Sequence, residues 1–322
     1  GLETGYLKDF KTFEEVRSAY EAQLKYWADR TVQAVDLLQA CHIERDDYPF
    51  MSTLILDCTD SGKSLMQGGA RYNFTGIQCL GPATTADSLT ALKQVVYEEK
   101  KCTPEEFYDA LLKNWEGHQR LYQLVNSDKV HHYGNDDDYA DELFKFIFEC
   151  YCNTLIGRPT IRGGQFNPGV YSVSGNVAMG LGTNASLDGR ERGEAISDNM
   201  GPVHTRLGSH DVKGPTALAN SVGKVDHSMA PNGTLFNVKF PENAVSGREG
   251  RDNLISFIDA YLANNPMHIQ FNIMSSETMK KAQKDPDNYR DMLVRVAGYS
   301  AYFVELGEAL QNDLIQRTEL HF

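Results

Sequence analysis

The stretch Val294-Arg295-Val296-Ala297-Gly298-Tyr299-Ser300 carries more information about this chain than any other segment. Glycine often ends a strand because it adopts turn conformations that other residues avoid, and Gly298 fits that ordinary role. Glycine also has a chemical property of its own. A radical on its Cα is stabilised jointly by the donating amide nitrogen and the withdrawing carbonyl, and no Cβ opposes planarity or crowds hydrogen removal. The spacing of residues within this stretch does not tell whether Gly298 only ends a strand or carries a radical. The rest of the sequence has to decide between these two roles.

Length, composition and charge exclude several classes of protein. The chain has 322 residues, enough for one large or two modest domains, and 41% of them are hydrophobic. No window approaches the roughly 18 consecutive apolar residues that a membrane helix needs. The 31 basic and 44 acidic residues give a net charge of −13, which repels phosphate backbones and acidic membrane surfaces. We therefore expect neither nucleic acid nor a membrane as a partner.

The six cysteines do not form the pattern of a disulfide-rich secreted protein, because the single close pair is Cys150-x-Cys152. No basic and apolar leader is visible in the first residues, so a cytoplasmic location is expected. No cysteine is followed two positions later by Glu, and no two cysteines are adjacent. The first residue is Gly1 rather than Met, which indicates a processed or excised piece.

Helices are predicted through the first half of the sequence. Thr12-Phe13-Glu14-Glu15 is a capping box, and apolar residues then recur at three- and four-residue steps, which predicts one buried stripe. The stripe consists of Phe13, Val16, Tyr20, Leu24, Trp27, Val35 and Leu38. A second helix start is Thr103-Pro104-Glu105-Glu106, and helical character returns at residues 141–152, where residues 136–138 can cap it.

The composition changes from about Gly157 onward, where glycine becomes dense and short strands are predicted. The strand candidates are residues 170–177, 234–240 and 267–274. In the last of these, Gln270 and Asn272 point to one face and the apolar residues between them to the other. Helices are predicted at 252–263 and 277–283. Strands that alternate with helices predict an α/β fold.

Three candidate sites are weaker than the Gly298 segment. His131-His132 beside residues 135–138 could bind a divalent metal, but the acidic residues can cap a helix and the spacing of a calcium loop is absent, so no metal is expected. Residues 180–185 (GLGTNA) match no phosphate-binding motif and are interpreted as a turn. His204, His210 and Asp211 could serve acid–base chemistry, yet no nucleophile motif accompanies them, and they are interpreted as structural.

The residues around Gly298 resemble the glycyl radical motif of the glycyl radical enzymes, the family of pyruvate formate-lyase and the radical dehydratases and lyases. Arg295, Val296, Ala297, Gly298 and Tyr299 match it, followed by Ser300 and the aromatic Phe303. Other segments resemble the family in the expected order. They are residues 68–76 (GGARYNFTG), 133–138 (YGNDDD), 172–176 (SVSGN), 188–190 (DGR) and 311–319 (QNDLIQRTE).

The resemblance implies a fold and a division of the chain. Family members form a ten-stranded α/β barrel from two half-barrels with surrounding helices, and two loops meet at its centre. One loop carries the radical glycine, matched by Gly298, and the other carries a thiyl cysteine that this sequence lacks. The chain therefore resembles the C-terminal part of a family member, with barrel residues at 1–200 and a glycine radical domain at 201–322. This piece alone is expected to be inactive.

The resemblance also implies partners and chemistry. No bound cofactor is implied; a separate activating enzyme with S-adenosylmethionine and an iron–sulfur cluster would install the radical on Gly298. Burial would protect this radical from water and oxygen, as in an anaerobic, oxygen-sensitive enzyme. The N-terminal half of the barrel would supply the cysteine, and the family is commonly homodimeric. Tyr171, Ser172, Ser174 and Asn176 would be strand residues that face the barrel interior and bind the small-molecule substrate, subject to strand register.

The reaction subtype and two other function classes stay open. The chain continues from Leu310 to Phe322 in the manner of the dehydratase, choline-lyase, sulfite-lyase and decarboxylase branch, whereas pyruvate formate-lyase stops soon after its glycyl loop. Dehydration of a small hydroxylated substrate is the leading expectation, with C–N, C–S or C–C cleavage as alternatives. Two other function classes are a non-catalytic radical carrier that repairs a damaged enzyme and a binding module whose match to the motif is accidental. Location in a bacterial microcompartment is also open.

Overall fold

The computed structural model describes all 322 residues, Gly1–Phe322, and its alternating helices and strands agree with the predicted α/β class. The helices are α1 (Phe13–Arg45), α2 (Pro49–Ser52), α3 (Cys58–Ser61), α4 (Pro82–Ala91), α5 (Pro104–Leu112), α6 (Gln119–Val125), α7 (Asp138–Leu155), α8 (Gly175–Leu181), α9 (Pro215–Gly223), α10 (Glu242–Val245), α11 (Gly247–Leu262), α12 (Ser276–Lys284) and α13 (Glu308–Gln316). The strands are β1 (Phe74–Gln78), β2 (Gln165–Gly169), β3 (His204–Thr205), β4 (Gly208–Ser209), β5 (Asn237–Phe240), β6 (Gln270–Ile273), β7 (Leu293–Arg295) and β8 (Ser300–Tyr302). No helix combines the length and apolar composition that a membrane crossing requires.

The helix starts follow from local capping chemistry. Thr12 Oγ1 accepts the Glu15 N–H at 3.3 Å at the start of α1, and Thr103 Oγ1 accepts the Glu106 N–H at 3.1 Å at the start of α5. Asp137 caps α7 by accepting the Tyr139 N–H. All three helix starts are therefore confirmed.

The predicted buried stripe of α1 is only partly correct. Val16 is buried and most of the other stripe residues pack against the core, but Trp27 and Leu38 are 55% and 58% exposed. The helix has 33 residues, whereas α7, on which it packs, has 18. At 1.5 Å per residue these lengths are about 50 Å and about 27 Å, so α1 extends past its partner and leaves part of its apolar face uncovered.

Parallel strand pairs form the centre of the fold. Strand β1 pairs with β2 from Phe74↔Gln165 to Gln78↔Gly169, and β5 pairs with β6 from Asn237↔Gln270 to Phe240↔Ile273. A single parallel bridge between Val170 and Thr234 connects the two pairs. The strands are short and pair two by two, so these residues by themselves build no closed ten-stranded barrel.

The strand predicted at residues 170–177 is wrong beyond Val170. Strand β2 ends at Gly169, Val173 adopts a left-handed conformation with φ of +58°, and α8 begins at Gly175. The cause is a side chain distant in sequence, because the Ser172 N–H donates to Asn199 Oδ1 at 2.6 Å instead of to a neighbouring strand. The other two predicted strands are present in shorter form as β5 and β6, and the helices predicted beside them are α11 and α12.

Two apolar clusters hold these elements. The larger contains 38 buried residues drawn from α1 through to Leu320, and it packs α4 against α7. The smaller cluster packs residues of α12 and α13 against the β7–β8 hairpin. Its buried members are Met279, Ala282, Met292, Val294, Val296, Phe303 and Leu314. The hairpin that carries Gly298 is therefore held in place by its packing against α12 and α13.

Candidate functional site

The Gly298 loop, residues 295–300, is the turn of an antiparallel hairpin. Arg295 in β7 pairs with Ser300 in β8, and the Val296 N–H donates to the Tyr299 carbonyl oxygen at 2.9 Å. Gly298 has a φ of +77°, which only glycine adopts without strain. A Cβ added there would meet nothing nearer than Leu235 Cδ1 at 3.9 Å. The backbone conformation, and not crowding, is therefore what requires glycine.

Gly298 lies at the surface of these 322 residues. Val296 and Ala297 are buried, whereas Gly298 and Ser300 are exposed. The chain turns outward after Ala297, and none of the residues beyond the turn folds back over it. The loop is thus packed on the protein at Val296 and Ala297 and exposed at Gly298.

Two amide side chains of β6 bond to the backbone of the Gly298 loop. Gln270 Oε1 accepts the Gly298 N–H at 3.0 Å. Asn272 bonds both polar groups of one backbone residue, because its Oδ1 accepts the Arg295 N–H at 3.1 Å and its Nδ2 donates to the Arg295 oxygen at 2.6 Å. The polar face that the sequence predicts for this strand therefore holds the Gly298 loop, a role that sequence reasoning missed.

A buried arginine fixes the other side of the loop. Arg317 is 6% exposed, and its Nη1 donates to the Val296 carbonyl oxygen at 2.9 Å. Its Nη2 lies 2.8 Å from Asp313 Oδ2 and 3.6 Å from Asp198 Oδ2. Burial by itself would lower the pKa of this guanidinium, but the two carboxylates raise it, so Arg317 carries a full charge directly beneath the loop.

The polar network continues from Asp313 into the region of the predicted substrate residues. Asn176 Nδ2 donates to Asp313 Oδ1 at 3.0 Å, and Ser172 Oγ donates to Asn176 Oδ1 at 3.1 Å. Ser172 and Asn176 are therefore buried and bonded to protein groups. Tyr171 and Ser174 are half-buried, and Ser174 lies at the N-cap of α8 without a capping bond from its side chain. None of the four lies in a strand, because β2 has already ended.

The residues interpreted as structural, His204, His210 and Asp211, each have a different partner. His204 Nδ1 lies 3.0 Å from Ser209 Oγ, His210 bonds to Asp87, and Asp211 accepts from Thr318. Burial lowers the pKa of His204 to about 3 and raises that of Asp211 to about 7. His204 and Asp211 line a small cavity of about 20 Å³ together with Arg295 and Arg317, enough for one water.

The six cysteines are all free thiols. Burial raises the pKa of Cys79, Cys102 and Cys152 to about 12, so these three are not activated as thiolates. Cys58 is buried and Cys41 is exposed. None of them bonds to the residues that hold the Gly298 loop.

Comparison with known proteins adds to this geometry. A family model described as pyruvate formate lyase-like matches residues 1–180, and one described as glycine radical matches residues 197–304. The chain is 60% identical over 322 residues to a (2S)-3-sulfopropanediol dehydratase of Klebsiella oxytoca, covering 100% of this chain and 39% of that protein. It is 38% identical to a trans-4-hydroxy-L-proline dehydratase of Clostridioides difficile, covering 100% and 40%.

A solved structure has the same fold over the whole length of the chain. The glycerol-bound form of the B12-independent glycerol dehydratase from Clostridium butyricum superposes with a TM-score of 0.95 at 40% sequence identity. That match covers 100% of this chain and 40% of the neighbour. The chain thus spans about 40% of the length of the curated relatives that it matches.

Proposed function

The chain belongs to the pyruvate formate lyase-like glycyl radical enzymes, and from that premise we propose that it stores a protein radical on Gly298 for the dehydration of a small hydroxylated substrate. The observation that carries this proposal is the Gly298 loop itself. A backbone conformation that favours glycine, an exposed position and a peptide N–H bonded to Gln270 occur at one residue. A structural turn requires only the first of these.

The bonds around the loop suit a radical on Cα. A stored radical needs a backbone that keeps one geometry while hydrogen atoms move to and from the Cα. The Gly298 N–H is held by Gln270, and the Val296 carbonyl oxygen two residues earlier is held by Arg317. Arg295 is held by Asn272 at the start of the turn. These residues position the backbone before any chemistry occurs.

The hydrogen balance assigns Gly298 a storage role. A partner that uses S-adenosylmethionine and an iron–sulfur cluster removes one hydrogen atom from the Gly298 Cα. A cysteine thiol outside these residues then returns a hydrogen atom to that Cα and becomes the radical that attacks the substrate. When the turnover ends, the same transfer runs in reverse. Gly298 therefore never has to touch the substrate.

The substrate class follows from what the relatives share. By their names, the two curated dehydratases act on (2S)-3-sulfopropanediol and trans-4-hydroxy-L-proline, and the solved neighbour contains glycerol. Each is a small molecule with a hydroxyl group that can leave as water. The relative at 60% identity makes (2S)-3-sulfopropanediol the first substrate to test. An isethionate sulfite-lyase of Bilophila wadsworthia at 35% identity keeps C–S cleavage as the second candidate.

The division of labour within the protein is part of the proposal. Residues 1–200 contribute to the barrel and residues 201–322 carry the radical, while the cysteine comes from the N-terminal half of the barrel, in a homodimer. That half would also cover the outward face of Gly298 and exclude water and oxygen from it. Of the four substrate candidates, Tyr171 and Ser174 are retained for substrate contact because the other two are already bonded inside the protein.

Electron paramagnetic resonance tests the radical. After anaerobic incubation of the full protein with its activating enzyme, we expect a doublet signal that Gly298→Ala abolishes. Gly117→Ala is the matched control, because Gly117 also has a positive φ, +79°, with nothing within 4 Å of an added Cβ. The control should keep the signal. A full signal in Gly298→Ala, or none in the wild type under competent activation, would refute the assignment.

Turnover distinguishes the enzyme from a radical carrier. The activated protein should release water from (2S)-3-sulfopropanediol, and Gly298→Ala should not. A carrier would show the doublet without turnover and would restore an oxygen-damaged partner enzyme. The match to residues 1–180 supports the enzyme, because a carrier needs little beyond the radical segment.

A further inference from the structure

Three side chains that are far apart in the sequence meet in one buried place. Asp87 lies in α4, His132 lies in the loop before α7, and His210 follows β4. Asp87 is fully buried, and the two histidines are at most 5% exposed. Each offers one possible ligand atom, and these three atoms lie within 4.8 Å of one another. We call them the Asp87 cluster.

Both imidazole rings face the same carboxylate oxygen. His210 Nδ1 is 2.9 Å from Asp87 Oδ2, and His132 Nδ1 is 3.4 Å from it. The other oxygen, Oδ1, accepts the Tyr133 N–H at 2.8 Å. Asn135 holds both histidine backbones, since its Nδ2 donates to the oxygens of His132 and His210 at 3.1 Å and 2.9 Å. The arrangement is therefore fixed from two sides.

The hydrogen-bond partners of the ring nitrogens decide which tautomer each ring adopts. His132 Nε2 lies 3.3 Å from the Ser127 carbonyl oxygen, which can only accept, so this nitrogen carries the proton. His210 Nε2 lies 3.4 Å from Asn126 Oδ1. The orientation of the Asn126 amide is fixed, because its other atom, Nδ2, donates to the Tyr122 carbonyl oxygen. His210 Nδ1 lies closer to Asp87 Oδ2, at 2.9 Å, so without an ion this nitrogen carries the proton and donates to Asp87, whereas His132 Nδ1 presents its lone pair to the same oxygen.

The lone pair of His132 Nδ1 and the Asp87 carboxylate face each other in a buried place and repel each other unless a cation lies between them. In agreement with this, His132 Nδ1 has no hydrogen-bond partner despite its burial. A divalent ion would bind both Nδ1 atoms and the carboxylate oxygen at once, because the three atoms lie within 4.8 Å of one another. The His210 proton would then lie on Nε2, which faces Asn126 Oδ1.

We propose that Asp87, His132 and His210 bind a divalent transition-metal ion, with Zn²⁺ as the representative ion. Zinc at 2.0–2.2 Å from tetrahedral ligands places them about 3.3 Å apart, close to the 3.4 Å and 2.9 Å separations from Asp87 Oδ2. A metal-bound histidine typically donates its other N–H to a carbonyl or carboxylate, which is the arrangement at Ser127 and Asn126.

The site is accessible and its role is structural. Both histidines line a surface cavity of about 250 Å³, which provides an entry path for the ion. An ion there would tie α4 to two loops that otherwise meet it through side-chain hydrogen bonds.

The metal site set aside in the sequence shares one histidine with this one, but its other ligands are different. His131 pairs with Asp137 instead, at 2.6 Å.

Zinc titration of the chelator-stripped full protein tests the proposal. We expect one Zn²⁺ per chain by calorimetry, and at least about 100-fold weaker binding in His132→Gln and in His210→Gln. His131→Gln is the matched control, because its ring is the adjacent histidine, is 42% exposed and faces away from the cluster. The control should bind as the wild type does. Equal affinity in all four proteins, or no zinc binding by the wild type, would overturn the site.

A second measurement covers the case in which a histidine variant fails to fold. Co²⁺ added to the wild-type protein should give the intense visible ligand-field absorption of a tetrahedral site with nitrogen and oxygen ligands. Zn²⁺ should abolish the band at one equivalent. A wild type that gives only the weak spectrum of hydrated Co²⁺ holds no such site, and the Asp87 cluster would then be a hydrogen-bond network.

Discussion

Replacing Arg317 by methionine is expected to destabilise the protein strongly. Methionine has a similar length, so the change removes the charge and the donors while leaving little empty space. Asp198 and Asp313 are 4% and 7% exposed and would face each other without a cation between them. The Val296 carbonyl oxygen would also lose the donor that holds it at 2.9 Å.

The magnitude follows from the burial of this ion pair. Removing one partner of a buried pair leaves an uncompensated charge and costs about 3–5 kcal/mol, whereas an exposed pair contributes about 0.2–1 kcal/mol. Arg317 also donates a charge-assisted hydrogen bond to the loop, so we expect Arg317→Met to lose about 4 kcal/mol of unfolding free energy. Asp313→Asn in the same protein should recover about half of it, because one of the two carboxylates is then neutral.

Urea unfolding of the full protein measures these losses. Arg290→Met is the matched control, since Arg290 pairs with Asp287 at 2.6 Å but both side chains are at least 77% exposed. Its expected loss is below about 1 kcal/mol. If Arg317→Met loses no more than the control, or if Asp313→Asn worsens the loss, then charge compensation beneath the loop is not what stabilises it.

Three further predictions address other residues. Gly298→Ala should lose about 1–2 kcal/mol in urea unfolding, because alanine is strained at a positive φ, and Gly117→Ala should lose as much; no loss in either would contradict the backbone argument. Asn272→Ala should lose about 1–2 kcal/mol, since both polar groups of Arg295 lose their partner; an unchanged midpoint would show that water replaces it fully. Burial raises the pKa of Asp188 from 3.8 to about 6, so the protonated carboxyl stabilises the fold below pH 3.8 and that stabilisation is lost as the pH rises through 6. Asp188→Asn should therefore gain about 2 kcal/mol over the wild type between pH 4 and pH 7.5, and a pH-independent difference would contradict the raised pKa.

Sequence reasoning succeeded where the cause is local. The caps at Thr12, Thr103 and Asp137 act within three residues, so the sequence contains both the side chain and the N–H that it bonds. The polar face of β6 was also visible in the alternation of its residues. What the sequence could not provide was the partner of that face, because Gln270 bonds to a residue 28 positions later.

The failures have distant causes. The strand after Gly169 was predicted too long because Asn199, 27 positions away, captures the Ser172 N–H. The exposure of Trp27 depends on the length of a helix that α1 meets only in the folded chain. The Asp87 cluster unites residues as far as 123 positions apart, whereas the adjacent pair His131-His132 draws attention in the sequence but is divided between two sites.

The hydrogen bond between Asn176 and Asp313 has a consequence for how the protein reaches its native state. It joins residues 137 positions apart, and the paired strands β1 and β2 are likewise separated by a long segment of the chain. Contacts of such high sequence separation form slowly, because the chain loses loop entropy before they stabilise it. The polar network under Gly298 should therefore be among the last parts to order during refolding, after the capped helices.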